Sequence, residues 1–359
     1  MRKLASIQRI TSIRPIEGAD RVECIGVLGW ECVARKGEFS IGELVVYIEV
    51  DSILPQKPEF EFLRERKFRV RTIKLRGQVS QGICFPLSIL PSKKYNEGDD
   101  VSAIIGVVKY DPEAAKEALE TTRLNAIHRN RIDKFLKRYK WYRRFFTKHG
   151  KRGWPDFIPK TDEERIQNFP WICEREKGTM FYCTEKLDGQ SATYALLRLP
   201  RKWYQRKNRY QFFVCSRNVN LKTEYKCNYW EIANKYNIKK VLHDIIGDNE
   251  FVILQGEIIG EGIQGNKYKI KGKDFYAFNL IYPSGKVEQI NNALISTGIK
   301  VVPFVEIEYL KDNVHQCVSL AKGKSIIADI HREGLVVRNY SKGISFKIVN
   351  PDFLLAYEE

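Results

Sequence analysis

What this chain lacks narrows its reading first. No stretch of it approaches the roughly 20 apolar residues that a membrane-crossing helix needs. Behind Met1-Arg2-Lys3 an alternating strand pattern stands where a secretory leader would place an apolar core. The expectation is therefore a chain with no secretion or membrane signal, working in the cytoplasm or nucleus. Eight cysteines, at 24, 32, 84, 173, 183, 215, 227 and 317, form no C-x-x-C pair. That spacing argues against zinc and predicts reduced thiols. Internal repeats and low-complexity tracts are absent. Acidic residues are scarce in one place: from Arg129 to Arg152, Asp133 alone stands against eleven basic residues.

Of 359 residues, 43% are apolar, enough for two domains that each bury a core. The formal net charge is +17, and residues 112–152 carry +9 of it, which points to a localised contact with a polyanion. Up to residue 110 short apolar runs are punctuated by Gly29, Gly37 and Gly42, a pattern of strands that favours a barrel or sandwich. Residues 112–148 read as a helix opened by Asp111-Pro112, with Phe135, Tyr139, Tyr142 and Phe146 as its apolar stripe. Downstream, strands and helices alternate irregularly, which favours α+β over a doubly wound sheet. Thr161 and Glu164 have the spacing of a capping box. Lys267, Lys269, Lys271 and Lys273 have the spacing of one strand face, a phosphate track or a solvated edge.

The stretch with the most chemistry in it is Thr184-Glu185-Lys186-Leu187-Asp188-Gly189, at a break between two β-prone runs. A lysine amine is a nucleophile only when neutral. At a reference pKa of about 10.4, roughly one exposed amine in a thousand is neutral at pH 7. Burial or a nearby cation must lower that value for covalent work. Asp188 suits a metal held through waters, and Gly189 lets backbone approach a phosphate. Taken alone, Lys186 to Gly189 fit a solvated surface turn better than a catalytic site.

The companions downstream come in order. Ser216-Arg217-Asn218 follows a strand-like run. Glu257 lies in Val252–Gly260, Phe278 in Asp274–Asn279, and Glu333 opens Glu333–Arg338. Lys347 lies in Ser345–Ile348. This ordered set resembles the covalent nucleotidyltransferases, and most closely the ATP-dependent RNA ligases of the fifth family, over essentially the whole chain. The resemblance implies an N-terminal OB-type β-barrel over 1–110, a basic helical connector over 111–152 and a C-terminal nucleotidyltransferase domain over 153–359. It implies ATP and Mg²⁺ or Mn²⁺ as cofactors, and RNA ends, at a nick or break, as the partner of a monomeric repair enzyme. Lys186 is then the nucleophile that takes AMP. Thr184 and Glu185 line the base, Phe278 stacks on it, Arg217 holds ribose or phosphate, and Lys347 holds the α-phosphate. Asp188, Glu257 and Glu333 are the metal ligands. Arg69, Arg71, Lys74 and Arg76 are candidates for an oligonucleotide face on the barrel.

At one position the chain departs from the pattern. The final motif often carries a second lysine two residues after the first, and here that residue is Val349. Two other functions remain open at this stage. A capping-type guanylyltransferase shares K-x-D-G but places its OB domain after the catalytic one. A non-catalytic RNA-binding protein would not need Lys186, Asp188, Glu257, Glu333 and Lys347 together.

Overall fold

The structure of the chain, a computed structural model, describes residues 3–111, 154–201, 208–221, 227–286, 290–294 and 296–357. The helix expected over 112–148 and the basic cluster from Arg129 to Arg152 lie outside the described residues. Strands and short helices mix along the rest, in the α+β arrangement expected. Among the described residues no helix is long and apolar enough to cross a membrane. All eight cysteines are unbridged.

The spine of the N-terminal part is strand Ala5–Pro15. Its first half pairs with Leu44–Ile48 and its second with Val22–Val27, both antiparallel. A register irregularity between Ile10 and Ser12 lies where one partner gives way to the other. Trp30–Arg35 and Ile83–Pro86 complete the five-stranded sheet. Alternation then sorts the side chains into two cores. Val45 and Tyr47 join Trp30 and Ile25 on one side, while Val46 and Ile48 join Ala5, Ile7, Phe60 and Leu63 on the other. Leu44–Ile48 is apolar throughout because both of its faces are covered. Arg69 does not present itself on an exposed basic face. It turns inward, 3.2 Å from Asp51, and stacks over Tyr110.

Two further sheets carry the remainder. One runs Phe304–Tyr309, Met180–Lys186, Gly334–Asn339, Ile344–Val349. The other centres on Gln190–Leu199, Phe251–Gly260 and Lys273–Tyr282. Helices Asn228–Lys235 and Ile238–Ile245 cover one face of the larger sheet around Tyr194, Leu254 and Phe275. Val314–Leu320 covers the smaller sheet around Phe181, Val337 and Phe346. Leu187, Ile259, Tyr268, Tyr276 and Val302 form a small cluster that joins the two sheets. Lys186 ends a strand of one sheet and Gln190 begins a strand of the other, so the Lys186–Gly189 stretch is the crossover between them.

The segment before this crossover is tied to the N-terminal sheet. The Gly29 N–H donates to the Gln167 carbonyl at 2.9 Å, and Trp30 Nε1 donates to Asn168 Oδ1 at 2.7 Å. A Cβ on Gly29 would lie 2.9 Å from the Gln167 Cα, so only glycine permits this approach. The capping box expected at Thr161 and Glu164 does not form. Residues 161–165 stay extended because their backbone is needed elsewhere: the Lys347 N–H donates to the Glu164 carbonyl at 2.8 Å. Only the short 3-10 turn Ile166–Asn168 follows.

Candidate active site

Strand Met180–Lys186 alternates in burial residue by residue, placing Met180, Tyr182, Thr184 and Lys186 on one face. The strand stops at Leu187 because the chain must leave the sheet. Gly189 makes the exit possible, since a Cβ there would lie 2.3 Å from the Ile258 carbonyl oxygen. Lys186 pairs across the sheet with Gly334, which brings Glu333 beside it. The Lys186 Nζ donates to Glu333 Oε1 at 2.5 Å.

Three carboxylates act on this amine. Burial alone would push it down, but Glu333, Glu257 and Asp188 outweigh burial and hold Lys186 above the usual lysine range. The amine is therefore kept protonated, and a protonated amine does not attack. A positive charge that engages these carboxylates would release it. Glu333 Oε2 is buried with no hydrogen-bond partner, an oxygen poised for such a charge. Among the described residues no three acidic, histidine or cysteine side chains come close enough to cage a metal by themselves. The donors are hard oxygens, and they fit a Mg²⁺ or Mn²⁺ whose shell is completed by water and phosphate oxygens.

Sequence reasoning placed Lys267 on a phosphate track or solvated edge and did not foresee it beside Asp188. The four alternating lysines do not lie on one strand. Gln264–Asn266 is a 3-10 turn, Asn266 and Lys269 adopt positive φ, and only Lys273 belongs to a strand. The Asn266 side chain closes this loop, donating to the Ile270 carbonyl and accepting its N–H, which overrides the alternation. Lys267 consequently turns inward and pairs with Asp188 Oδ2, while the Asp188 N–H donates to Tyr268 Oη at 2.8 Å. The only sequence signal for this was Asn266 and Gly272 flanking the lysines.

Glu185 points away from the Lys186 face and is 1% exposed. Its Oε2 accepts from the Ile326 N–H, and its Oε1 has no partner. Burial pushes this carboxyl up. Phe278 packs on the inter-sheet cluster beside Tyr276 and Leu187. Thr184 Oγ1 donates to the Val336 carbonyl at 3.4 Å. Val349 joins Phe353 and Leu354 in an apolar cluster, so its position is filled by packing.

A second gathering of charge centres on Asp162. Arg217 Nη2 lies 2.5 Å from its Oδ1, and Lys109, from the N-terminal part, lies 3.5 Å from its Oδ2. Burial pushes the Asp162 carboxyl up, but Arg217, Lys109 and Lys347 together hold it below the usual carboxylate range. Of the expected site residues, Lys186, Asp188, Glu257 and Glu333 thus share one electrostatic cluster, with Lys347 acting on Glu333 as well. Arg217 joins Lys347 around Asp162.

Two family models match this chain: an OB-fold domain over residues 4–87 and RNA ligase over residues 179–349. No curated protein matches. Among solved structures, an apo mutant of Naegleria gruberi RNA ligase is 32% identical, with a TM-score of 0.78, covering 98% of this chain and 97% of that one. The same ligase with AMP and Mn is 32% identical, with a TM-score of 0.77, and with ATP and Mn 31% identical, also at 0.77. Each of these two covers 98% of both chains.

Proposed function

This chain belongs to the RNA ligase family, and from that premise we propose how its own residues divide an ATP-dependent reaction. Lys186 attacks the α-phosphorus of ATP, pyrophosphate leaves, and a lysyl-AMP remains. AMP passes to a 5′-phosphate RNA end, and a 3′-hydroxyl then displaces AMP to make the phosphodiester. Each displacement is in line at phosphorus, so positioning and charge neutralisation do most of the work. Asp188, Glu257 and Glu333 would hold a Mg²⁺ or Mn²⁺, which would supply positive charge to favour the neutral amine and to offset phosphate charge. Arg217 and Lys347 bind phosphate or ribose oxygens in place of their shared partner Asp162. The unpaired Glu185 Oε1 accepts a hydrogen bond from the base, with Phe278 lining the base site, while Thr184 contributes from the opposite face of the strand, beside Lys186.

The observation that carries this reading is a half-buried amine bonded to Glu333, whose second oxygen is an orphan, with Glu257 and Asp188 acting on its charge. Incubation with labelled ATP and Mn²⁺, followed by a denaturing gel, tests it. The protein takes label from ATP and not from GTP. Lys186→Ala abolishes labelling, and Lys186→Arg does not restore it, because a guanidinium stays charged. Label mapped to another lysine would overturn the assignment.

The finer reading is nick sealing in RNA repair, by a monomer in the cytoplasm or nucleus. Residues 1–110 act as the barrel, 111–152 as the connector and 153–359 as the adenylyltransferase. Joining of pre-adenylylated nicks by the full chain, compared with single-stranded ends, checks the substrate preference.

A further inference from the structure

The face of strand Met180–Lys186 that bears the nucleophile does not end at the nucleophile. Register with the edge strand Phe304–Tyr309 sets Tyr309 opposite Met180, Ile307 opposite Tyr182 and Phe304 opposite Thr184. Met180, Tyr182, Phe304, Ile307 and Tyr309 are all exposed, Tyr309 at 52%. Tyr340 extends the patch, its ring 6.0 Å from that of Tyr182 in an edge-to-face contact. Five exposed large side chains on one sheet face, with Tyr340 beside them, are more than scattered surface residues account for. The acidic members of the edge strand, Glu306 and Glu308, alternate to the opposite face, beside buried Cys183. On these two strands, then, the patch carries no carboxylate.

We infer that this patch is the surface on which RNA lies next to the reacting end. The inference rests on the ligase reading and deepens it. Tyr182 is four residues from Lys186 on the same strand face, about 13 Å at strand rise. An RNA end held at Lys186 has this face as its continuation. Tyrosine rings offer flat apolar surface to bases and ribose, and their hydroxyls offer hydrogen bonds to 2′-OH groups. With Glu306 and Glu308 turned to the opposite face, the patch side of these two strands presents no carboxylate to repel phosphate.

The test uses the full chain with two pairs of substitutions, Tyr182→Ala with Tyr309→Ala, and Tyr182→Phe with Tyr309→Phe. RNA binding is measured directly, without catalysis, on 5′-phosphorylated nicked duplex and on single strands, over a range of salt. The alanine pair weakens RNA affinity on the order of 10-fold or more. Its log–log salt dependence keeps its slope, because no phosphate contact is lost. Lysyl-AMP formation and melting temperature stay at the wild-type level. The phenylalanine pair retains most affinity if rings carry the contact, and loses it if hydroxyls do; either result supports RNA on this face. Unchanged RNA affinity in the alanine pair overturns the inference. If melting also falls, the face is covered by residues of this chain or by a second copy. A wild-type protein that takes no label from ATP defeats the ligase reading separately, while the binding measurement still decides the patch.

Discussion

At the scale of single residues, the site is a balance of charge around one amine. Lys267 sits in that balance as a competitor: it already occupies Asp188 Oδ2, one of the oxygens proposed for the metal. A charge-assisted hydrogen bond is worth about 1.5–3 kcal/mol. Lys267→Met, which keeps the chain length and loses the charge, is expected to lower the Mn²⁺ concentration for half-maximal lysyl-AMP formation on the order of 10-fold. A metal titration of the labelling reaction checks this, and an unchanged midpoint means that Lys267 and metal do not compete. Gly189 is constrained by shape where Lys267 acts by charge. Gly189→Ala forces the crossover off the Ile258 carbonyl. The expected cost is about 1–3 kcal/mol of overpacking, and a drop in adenylylation on the order of 100-fold from a displaced nucleophile. Thermal melting and single-turnover labelling separate the two effects.

At the scale of elements, strand Lys273–Tyr282 is held at its start by Asp274, which is almost fully buried. Lys300, on the parallel strand Lys300–Val301, lies 2.5 Å from it, Lys235 lies 3.5 Å away, and the Tyr236 hydroxyl donates to it. Burial pushes this carboxyl up, but Lys300, Tyr236 and Lys235 outweigh burial and hold it below its ordinary value of 3.8. A depressed carboxyl contributes stability that is fully present above the unfolded value. That stability is lost as pH falls through the folded one. Melting temperature measured from neutral pH down through and below 3.8 should therefore fall less steeply in Asp274→Asn than in wild type. At neutral pH the variant should be less stable by about 1–3 kcal/mol. Parallel acid limbs in the two proteins would show that the cluster does not set acid stability.

At the scale of the whole molecule, the N-terminal sheet reaches the chemistry through residues 161–168. Arg165 is buried, pairs with Asp51 at 2.9 Å, faces the Trp30 ring, and bridges by backbone to Lys347. Asp51 also serves Arg69, so Asp51→Ala takes a carboxylate from two guanidinium groups. Removing one partner of such a buried pair costs about 3–5 kcal/mol. Adding Arg165→Met should recover part of that, which a double-mutant cycle in denaturant measures; simple additivity would mean that the pair is not coupled. Much of this molecule was legible without coordinates. The α+β class and the strand-rich N-terminal part follow from local alternation and glycine punctuation, and the break at Lys186–Gly189 from the two β-prone runs that flank it, all carried along the chain itself. Register and loop closure were not legible in the same way. Nothing local places Glu333 beside Lys186; antiparallel pairing with Gly334 does. Helical spacing at Thr161–Glu164 was overruled by a backbone pairing to Lys347, and strand spacing at Lys267–Lys273 by an asparagine that closes a loop. The sequence by itself determined which chemical groups the protein owns and which faces its strands bury. Only the tertiary structure decided which charges meet, because hydrogen bonds and ion pairs between residues distant along the chain depend on register, and register is settled only when the sheets assemble.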